Sequence, residues 1–199
     1  MRFRQWVLSL SFFLISVLFL LYSKTLFHAR SDHSADPLNA IETIDCQAHL
    51  LPNQDYFPYL KAYFQRAQKS IIGTVYLVKT ADFPNNEPAD LLRELMAASR
   101  RNVQVDLVLE RSEEFRDIND SNAIAAETLQ KAGVHVRFDP VNMATHAKTF
   151  VIDGRYCFVG SHNLTHAAMT RNAELSVFID STEMAQKITD FVQQIPKGQ

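Results

Sequence analysis

The sequence predicts an α/β fold, in which a mixed β-sheet carries helices on both faces. Three observations support this fold class. From residue 41 onward, short apolar runs of strand length alternate with segments whose apolar residues recur at helical spacing. Asn102 and Gly133, residue types that tolerate the left-handed conformation at helix ends, each stand between a helical segment and a strand. Asp153 and Gly154 separate two apolar runs, which predicts a β-hairpin.

Seven segments have the apolar pattern and the length of strands. In chain order they are residues 41–49, 70–77, 103–107, 134–138, 149–152, 156–159 and 174–179. The third and fourth alternate apolar and polar residues, and they follow Asn102 and Gly133. The fifth and sixth lie on either side of Asp153 and Gly154, so they form the predicted hairpin.

Helices are expected between these strands. Helical segments are predicted near residues 59–67, 90–100 and 182–193, and a further helix is expected to end before Gly133. Within the second segment, apolar residues follow the spacing of one helical face: Leu91, Leu92, Leu95 and Met96. Residues 111–120 carry charges of both signs and are interpreted as a loop that is either solvated or borders a cleft.

Residues 1–27 are predicted to lie outside the fold, as a membrane anchor or a signal sequence. The almost unbroken apolar run from Trp6 to Tyr22 follows Arg2 and Arg4 and precedes Lys24. Its length is at the short end for a membrane-spanning helix and exceeds a usual signal-peptide core. No small-x-small cleavage site follows promptly, which favours an uncleaved anchor.

The N-terminal segment also gives an expected location. Positive charges on its two sides are nearly balanced, so the free N-terminal amine favours an orientation with the N-terminus inside. In a bacterium, the domain would then be anchored in the inner membrane and face the periplasm, or be secreted to the periplasm if the segment is cleaved. Residues 28–40 are polar and are expected to form a linker to a folded domain at residues 41–195.

The most informative feature is a set of six residues at fixed spacing: His146, Lys148, Asp153, Gly160, Ser161 and Asn163. An unprotonated imidazole nitrogen is a nucleophile toward phosphorus, and ammonium and amide donors hold phosphate oxygens. Because strand side chains repeat with a period of two, Lys148 is expected on the same face as His146. A set of these residue types is chemically suited to reaction at a phosphate group.

The sequence leaves two hairpin registers open. With a two-residue loop at Asp153 and Gly154, His146 lies opposite Ser161. With a register shifted by one residue, His146 lies opposite Asn163. Either register brings the two halves of the motif into one polar site.

The pattern H-x-K-x4-D-x6-G-S-x-N resembles the HKD motif of the phospholipase D superfamily, and the likeness extends from about residue 41 to residue 193. It is closest to the small single-motif bacterial endonucleases of that superfamily. The resemblance implies a phospholipase D-like mixed sheet flanked by helices and a phosphodiester hydrolase that needs no metal or other cofactor. It also implies a phosphohistidine intermediate at His146 and makes residues 41–195 the catalytic domain.

One motif per chain implies a homodimer that shares one active site. Displacement at phosphorus needs a nucleophile on one side and an acid for the leaving oxygen on the other, which one histidine cannot provide. The resemblance therefore assigns His146 of one subunit as nucleophile and His146 of the other as acid. Lys148 and Asn163 are expected to hold the non-bridging oxygens, and Ser161 to support the site by hydrogen bonding.

Two acidic residues complete the set of candidate catalytic residues. Asp153 belongs to the motif but lies at the predicted turn, so a structural role is expected for it. The segment from Arg171 to Glu174 resembles the family segment whose glutamate orients the nucleophilic histidine, which makes Glu174 a candidate. The alternative is that Glu174 is an exposed residue at the entry to a strand.

A metal-centred alternative rests on His162 and His166, which share a face if residues 163–168 form a helical turn. No nearby Glu or Cys completes a zinc ligand set with them. Cys46 and Cys157 are spaced neither as a metal-ligand pair nor as a disulfide framework. No metal site is therefore expected.

Composition argues weakly against avid binding of nucleic acid. Without the first 30 residues, 16 Lys and Arg remain against 22 Asp and Glu, a net charge of −6. Nucleic-acid-binding proteins usually carry the opposite sign, although a groove near Lys148 can be locally basic through Arg111, Arg116 or Arg171. The leading hypothesis is a membrane-anchored nuclease acting on DNA or RNA. The alternatives are a phospholipase D acting on phospholipid headgroups and a binding module without turnover.

Overall fold

The structure is a computed structural model that describes residues 43–80 and 86–198. The predicted anchor or signal sequence at residues 1–27, the linker at 28–40 and the domain start at residue 41 lie outside the described residues. Within the described ranges, no helix has the length and apolar character needed to span a membrane.

The described residues contain nine strands and five α-helices. The strands are β1 (Gln47–Pro52), β2 (Ser70–Val75), β3 (Val78–Lys79), β4 (Gln104–Leu109), β5 (His135–Phe138), β6 (Lys148–Ile152), β7 (Tyr156–Gly160), β8 (Leu164–Thr165) and β9 (Leu175–Asp180). The helices are α1 (Tyr56–Arg66), α2 (Glu87–Arg100), α3 (Arg116–Gln130), α4 (His166–Thr170) and α5 (Thr182–Gln194). A 3-10 turn at Asn53–Asp55 leads into α1.

Seven strands form one mixed sheet in the order β1-β9-β7-β6-β2-β4-β5. β2, β4 and β5 are parallel neighbours, whereas the pairs from β1 through β9, β7 and β6 to β2 are antiparallel. The short strands β3 and β8 pair in parallel outside this sheet. The predicted mixed sheet is therefore confirmed.

Helices cover both faces of the sheet, as predicted. The main core lies on one face, where Phe64 of α1, Leu95 of α2 and Leu129 of α3 are buried. On the other face, α5 packs Ala185 and Val192 against the sheet. Burial of an apolar side chain of this size stabilises a fold by about 1.5–3 kcal/mol, so these two layers hold the sheet in place.

Local sequence explains where several helices begin. The Asn86 side chain accepts a hydrogen bond from the Ala89 N–H (2.9 Å) at the start of α2, and Ser181 accepts one from the Met184 N–H (3.2 Å) at the start of α5. Such N-caps satisfy backbone donors that have no partner within the helix. Asn102 and Gly133 adopt positive φ, 66° and 86°, which confirms their predicted left-handed conformation after α2 and α3.

Three predicted boundaries change. The first strand begins at Gln47 because its pairing with β9 begins there. The first helix begins earlier than predicted, at Tyr56, whose side chain is 1% exposed and joins the core. Residues 116–120, predicted to be loop, form the first turns of α3, whose buried side begins only at Asn122. Their charged residues lie toward solvent, so the loop prediction was wrong for this part.

Candidate active site

The β6–β7 hairpin has neither of the two predicted registers. Ile152 pairs with Tyr156 and Lys148 with Gly160, so the loop contains three residues rather than two. The third is Arg155, whose N–H donates to the Ile152 carbonyl (3.1 Å) and whose carbonyl accepts from the Ser181 N–H (3.1 Å). Because Arg155 is held by the start of α5, it acts as an extra residue and shifts the register.

The corrected register changes which motif residues face each other. Continued past the strand ends, it sets His146 opposite His162, and neither Ser161 nor Asn163 as predicted. Both predicted pairings of His146 were therefore wrong. The two halves of the motif still converge, because Lys148 opens β6 directly beside Gly160, the last residue of β7.

His146 and Lys148 meet at Tyr76, which follows β2. The His146 ring centroid lies 4.6 Å from that of Tyr76, and the Lys148 Nζ lies 4.8 Å from the same ring centroid. His146 precedes β6 instead of lying within it, and Lys148 Nζ donates to the His146 carbonyl (2.6 Å). The two side chains therefore lie at the same ring, although not by sharing a strand face as predicted.

Lys148 is a buried ammonium group, with a side chain only 5% exposed. Burial lowers its pKa to about 8, although the negative charges of Glu174 and Glu110 oppose this shift. A cation held in a site of low polarity acts more strongly on a nearby phosphate than one in water. At neutral pH, Lys148 is therefore a cation suited to binding a phosphate oxygen.

His146 is exposed, and partial desolvation together with the Lys148 charge lowers the pKa of its imidazole. The ring is therefore mostly unprotonated at neutral pH, which is the state that a nucleophile requires. Within residues 43–80 and 86–198, the ring makes no hydrogen bond. Both of its nitrogens are open to a substrate or to a partner molecule.

Ser161 and Glu174 form a second part of the site. The Ser161 hydroxyl donates to the Glu174 carboxylate and accepts from the Leu175 N–H (3.1 Å). Asn172 Nδ2 donates to the other carboxylate oxygen of Glu174 (3.1 Å). Glu174 is half-buried immediately before β9, and its charge acts on Lys148. Its carboxylate thus contacts Ser161 and Asn172 rather than the His146 ring.

Asn163 connects the second half of the motif to β2. Its Oδ1 accepts a hydrogen bond from the Leu77 N–H (3.2 Å), close to Tyr76 in the chain. This contact fixes the amide orientation and makes Nδ2 the outward donor, for which the described part of the chain provides no hydrogen-bond acceptor. Asn163 can therefore donate to an oxygen of a bound phosphate.

Asp153 lies at the other end of the hairpin. Its carboxylate accepts from the backbone N–H groups of Gln68 (3.0 Å), Lys69 (2.7 Å) and Ser70 (3.1 Å). Its φ of 55° is left-handed, a conformation that Asp tolerates better than most residues. These contacts fasten the turn to the start of β2 and agree with the expected structural role.

Gly160 is required by a close approach of two strands. A Cβ atom at this position would overlap the Cα and side chain of Ser176 on β9. Ser176 is itself buried and hydrogen-bonds to His162. The motif glycine therefore allows β7 to pass Ser176 and to deliver Ser161 to the site.

The metal-centred alternative fails at His162. Its Nε2 donates to the Asn53 carbonyl (2.8 Å) and its Nδ1 accepts from the Ser176 hydroxyl (2.7 Å), while its ring stacks on Tyr56 at 4.2 Å. Helix α4 begins only at His166, so the helical turn at 163–168 on which this alternative depended does not form. His162 is a fully buried structural residue. Among the described residues, no group of three His, Cys, Asp or Glu could hold a metal ion.

Two acidic residues near the motif were not identified from the sequence. Glu110 follows β4 and Asp139 follows β5, and both are buried, at 2% and 0% exposure. Each accepts a hydrogen bond from the N–H of Thr145, directly before His146. A signal was present, since both residues stand at the carboxyl ends of neighbouring parallel strands, where α/β proteins place their functional groups.

An apolar pocket lies next to Lys148. It has a volume of about 260 Å³ and includes Val159 of β7 with Ile188 and Phe191 of α5. Lys187 of α5 lines the same pocket. Phe191 is 52% exposed, so this apolar surface is accessible from solvent.

The chain is similar in sequence to a known protein family. A family model described as "Cardiolipin synthase, PLD-like domain" matches residues 60–195, most of the described chain. The chain belongs to this phospholipase D-like family. Members of the family are phosphodiester hydrolases and transferases, so the predicted enzyme class is confirmed at the level of the family.

The curated relatives of this phospholipase D-like chain are longer than the matched segments. Phospholipase D of Rickettsia bellii is 35% identical over 94 residues, which cover 46% of this chain and 43% of that protein. Cardiolipin synthase of Listeria monocytogenes is 29% identical over 126 residues, 63% of this chain and 25% of that protein. The matched segments thus span less than half the length of these relatives.

Solved structures show the same fold. The phospholipase D family member Nuc from Salmonella typhimurium superposes with a TM-score of 0.62 at 24% identity, over 76% of this chain and 93% of Nuc. NucT from Helicobacter pylori superposes with a TM-score of 0.61 at 19% identity, over 76% of this chain and 96% of NucT. The predicted phospholipase D-like fold is confirmed.

Proposed function

We propose that this protein is a metal-independent phosphodiesterase that cleaves nucleic acid through a phosphohistidine on His146. One observation carries the proposal. The exposed imidazole of His146, whose pKa is lowered by desolvation and by Lys148, is held on Tyr76 next to the buried ammonium of Lys148. This combination supplies a nucleophile and a cation for a phosphate group at one point of the surface.

The proposed reaction has two displacements at phosphorus. A ring nitrogen of His146 bonds to phosphorus while the bond to the leaving oxygen breaks, and an acid transfers a proton to that oxygen. Water then bonds to phosphorus, loses a proton to the same acid group in its basic form, and releases His146. Lys148 and the Asn163 amide hold the non-bridging oxygens in both steps.

The acid in this proposal is His146 of a second subunit. The other histidines of the described residues have other partners: His49 packs near Phe178, His135 bonds to Asp106, His162 is buried, and His166 bonds to Glu87. Within the described residues, Tyr76 therefore carries the imidazole of His146 alone. A twofold axis near the motif would supply the second imidazole from the opposite side.

Nucleic acid is the preferred substrate class because of the relatives that share the whole fold. This chain covers 93% of Nuc and 96% of NucT, and it resembles the small single-motif endonucleases in carrying one HKD motif. The net charge of −6 outside the first 30 residues argues against avid binding of nucleic acid, so contacts would depend on the few donors at the site, Lys148 and Asn163 among them.

Phospholipid is the second candidate substrate. The pocket of Val159, Ile188 and Phe191 opens beside Lys148 and offers apolar surface to an acyl chain or a glycerol backbone. An anchor at residues 1–27, in the inner membrane with the domain facing the periplasm, would keep the site close to lipid. The curated Rickettsia relative is named phospholipase D.

Parallel hydrolysis assays in excess chelator test the function. The substrates are single-stranded DNA, duplex DNA, RNA and phosphatidylcholine vesicles. The inactive variant is His146→Ala, and the matched control is His135→Ala, which removes an exposed histidine of β5. We expect cleavage of nucleic acid by wild type and His135→Ala but not by His146→Ala. Headgroup release with intact nucleic acid would instead establish the phospholipase, and loss of all activity in chelator would refute the metal-independent mechanism.

Mixed dimers test the shared site. Two differently tagged chains, one wild type and one His146→Ala, are co-expressed and the mixed species is purified through both tags. If both imidazoles are required, the mixed dimer is inactive on a natural phosphodiester. About half of the wild-type activity in the mixed species would contradict the two-histidine mechanism.

A further inference from the structure

We propose that Glu110 and Asp139 share one proton and, in that state, fix the segment 140–147 that carries His146. The two carboxyls are positioning residues, since they touch the backbone before His146 and do not reach the reacting atoms. The inference rests on the proposed role of His146 as nucleophile. It adds a proton-dependent control of the placement of that residue.

The geometry brings both carboxyl groups to one backbone donor. The Thr145 N–H donates to Glu110 Oε2 (2.6 Å) and to Asp139 Oδ2 (3.0 Å). Both side chains are buried and accept from the same N–H, so the two carboxyl groups lie close together. Two ionised carboxylates in such contact repel strongly, so a pair of this kind retains one proton.

The hydrogen bonds assign the proton to Glu110. Both oxygens of Asp139 accept from the backbone, since Oδ1 accepts from the Arg111 N–H (2.7 Å) and Oδ2 from Thr145. Only Oε2 of Glu110 accepts from the backbone, which leaves its second oxygen for a proton. Burial and the contact with Asp139 raise the pKa of Glu110 to about 7.

Groups from the surrounding elements modulate this pair. Lys148 of β6 carries the facing positive charge and favours ionised Glu110, but burial and Asp139 outweigh it. Tyr76 after β2 feels the Glu110 charge, and Asn122 of α3 donates to the Glu110 carbonyl (2.9 Å). The Glu110 proton is thus exchanged within the range of neutral pH.

Loss of the proton is expected to release the segment that carries His146. Below a pH of about 7, the pair has one negative charge and holds Thr145 from one side. On the other side, Lys148 holds the carbonyl of His146 (2.6 Å). Above this pH, both carboxylates are charged at the single Thr145 donor. Ionised Glu110 accepts from the Thr145 N–H more strongly, but repulsion moves the two carboxylates apart, so this N–H keeps one acceptor instead of two.

The pH profile of the full chain tests the inference. The probe is bis(p-nitrophenyl) phosphate, whose leaving group needs no protonation. The acid role of the second His146 therefore does not determine the alkaline limb, the part of the profile in which activity falls as pH rises. Wild type is compared with Glu110→Gln and with Glu113→Gln, a control with the same charge change at an exposed neighbour. The amide introduced by Glu110→Gln would keep a carbonyl acceptor for Thr145 and donate permanently to Asp139.

We expect Glu110→Gln to remain active near neutral pH and to shift the midpoint of the alkaline limb upward. The limb moves from about 7 in wild type toward about 8, where Lys148 loses its proton. Glu113→Gln is expected to follow wild type. Identical alkaline limbs in all three proteins would overturn the proposal.

Asp139→Asn tests the assignment of the proton. Both Asp139 oxygens accept from backbone N–H groups. In the amide variant, the side-chain NH2 group would face one of these N–H donors, and that hydrogen bond would be lost. We expect this variant to lose activity at every pH, unlike Glu110→Gln. Equal profiles for the two variants would overturn the assignment of the proton to Glu110.

A measurement without substrate separates this inference from the proposed function. Infrared spectra of wild type are expected to show a protonated carboxyl band that disappears as pH rises through about 7 and is absent in Glu110→Gln. In NMR spectra, the resonance of the Thr145 backbone amide should shift with pH at the same midpoint. If wild type hydrolyses no phosphodiester, the proposed function fails; these two signals then still decide the inference, and their absence overturns it.

Discussion

The two ends of the β6–β7 hairpin contain ionisable groups in opposite situations. At the turn, the Asp153 carboxylate is partly exposed and accepts hydrogen bonds from three backbone N–H groups. At the open end, Lys148 is 5% exposed and lies near the buried carboxyl of Glu110. The pKa values of Lys148 and Glu110 move to about 8 and about 7, each toward the neutral form.

The charged group at the turn therefore serves mainly stability, whereas the charged groups at the open end serve mainly chemistry. Charge-assisted hydrogen bonds at the turn stabilise the fold, because the Asp153 carboxylate bonds to its three backbone partners and stays partly exposed to water. Buried charges at the open end cost desolvation free energy, and the same burial makes them reactive near neutral pH. Substitutions of the charged groups at the two ends should therefore affect different quantities.

The largest expected effect is the loss of activity in Lys148→Met. Removal of one positioned cation from a phosphate site should lower kcat by about 100-fold or more. The free energy of unfolding should stay constant or rise, since a buried charge is replaced by an apolar side chain of similar size. Urea unfolding and kcat are measured beside Lys131→Met, an exposed control. A large loss of stability in Lys148→Met would contradict the division between the two ends.

Asp153→Ala should show the reverse behaviour. It removes hydrogen bonds to three backbone donors and places Ala at a φ of 55°, so the free energy of unfolding should fall by about 3 kcal/mol. The kcat of the folded fraction should change little. Asp153→Asn is the control, because Asn tolerates this φ and retains one acceptor. If Asp153→Ala instead lowered kcat at unchanged stability, Asp153 would belong to the chemistry.

Substitution of the glycine at each end of the hairpin should change the free energy of unfolding by a smaller amount. Gly160→Ala should lower the free energy of unfolding by about 2 kcal/mol, because its Cβ overlaps Ser176. Gly154→Ala meets no atom within 4 Å but has a φ of 66°, so strain alone should cost about 1 kcal/mol. Thermal unfolding measures both. Only Gly160→Ala should also reduce kcat, since Gly160 precedes Ser161; equal kcat values in both variants would argue against this link.

A pH dependence of stability above neutrality is also expected from the open end of the hairpin. The folded pKa of Lys148 is about 8, below its ordinary value of 10.5, so the unfolded chain binds more protons between these values. The free energy of unfolding of wild type should therefore rise with pH in this window relative to that of Lys148→Met. Urea titrations at several pH values provide the test, and parallel curves for the two proteins would contradict a buried cation at position 148.

Sequence reasoning recovers features that depend on local chemistry. Asn102 and Gly133 adopt the left-handed conformation expected of their residue types. The fold class and most strands follow from apolar periodicity, which reports the face that a segment buries. The motif spacing also predicts that the two halves of the motif converge, and Lys148 lies beside Gly160, although the register differs from both predicted ones.

Features that depend on distant parts of the chain were not predictable in this way. The hairpin register changes because Arg155 bonds to Ser181 at the start of α5, a contact that lies outside the hairpin sequence. Glu110 and Asp139 meet only because β4 and β5 are neighbours in the sheet. His162 has the appearance of a ligand in sequence, and its structural role depends on Asn53, more than 100 residues away.

The measurement that tests the central claim most directly is the trapping of a covalent intermediate. The full chain is mixed with a phosphodiester substrate in excess chelator, quenched in alkali, where phosphohistidine persists, and digested for mass spectrometry. The account predicts a substrate-derived phosphoryl adduct on the peptide that contains His146, and its absence in His146→Ala. Continued turnover by His146→Ala, or turnover by wild type that needs a metal ion and leaves no adduct, would contradict it.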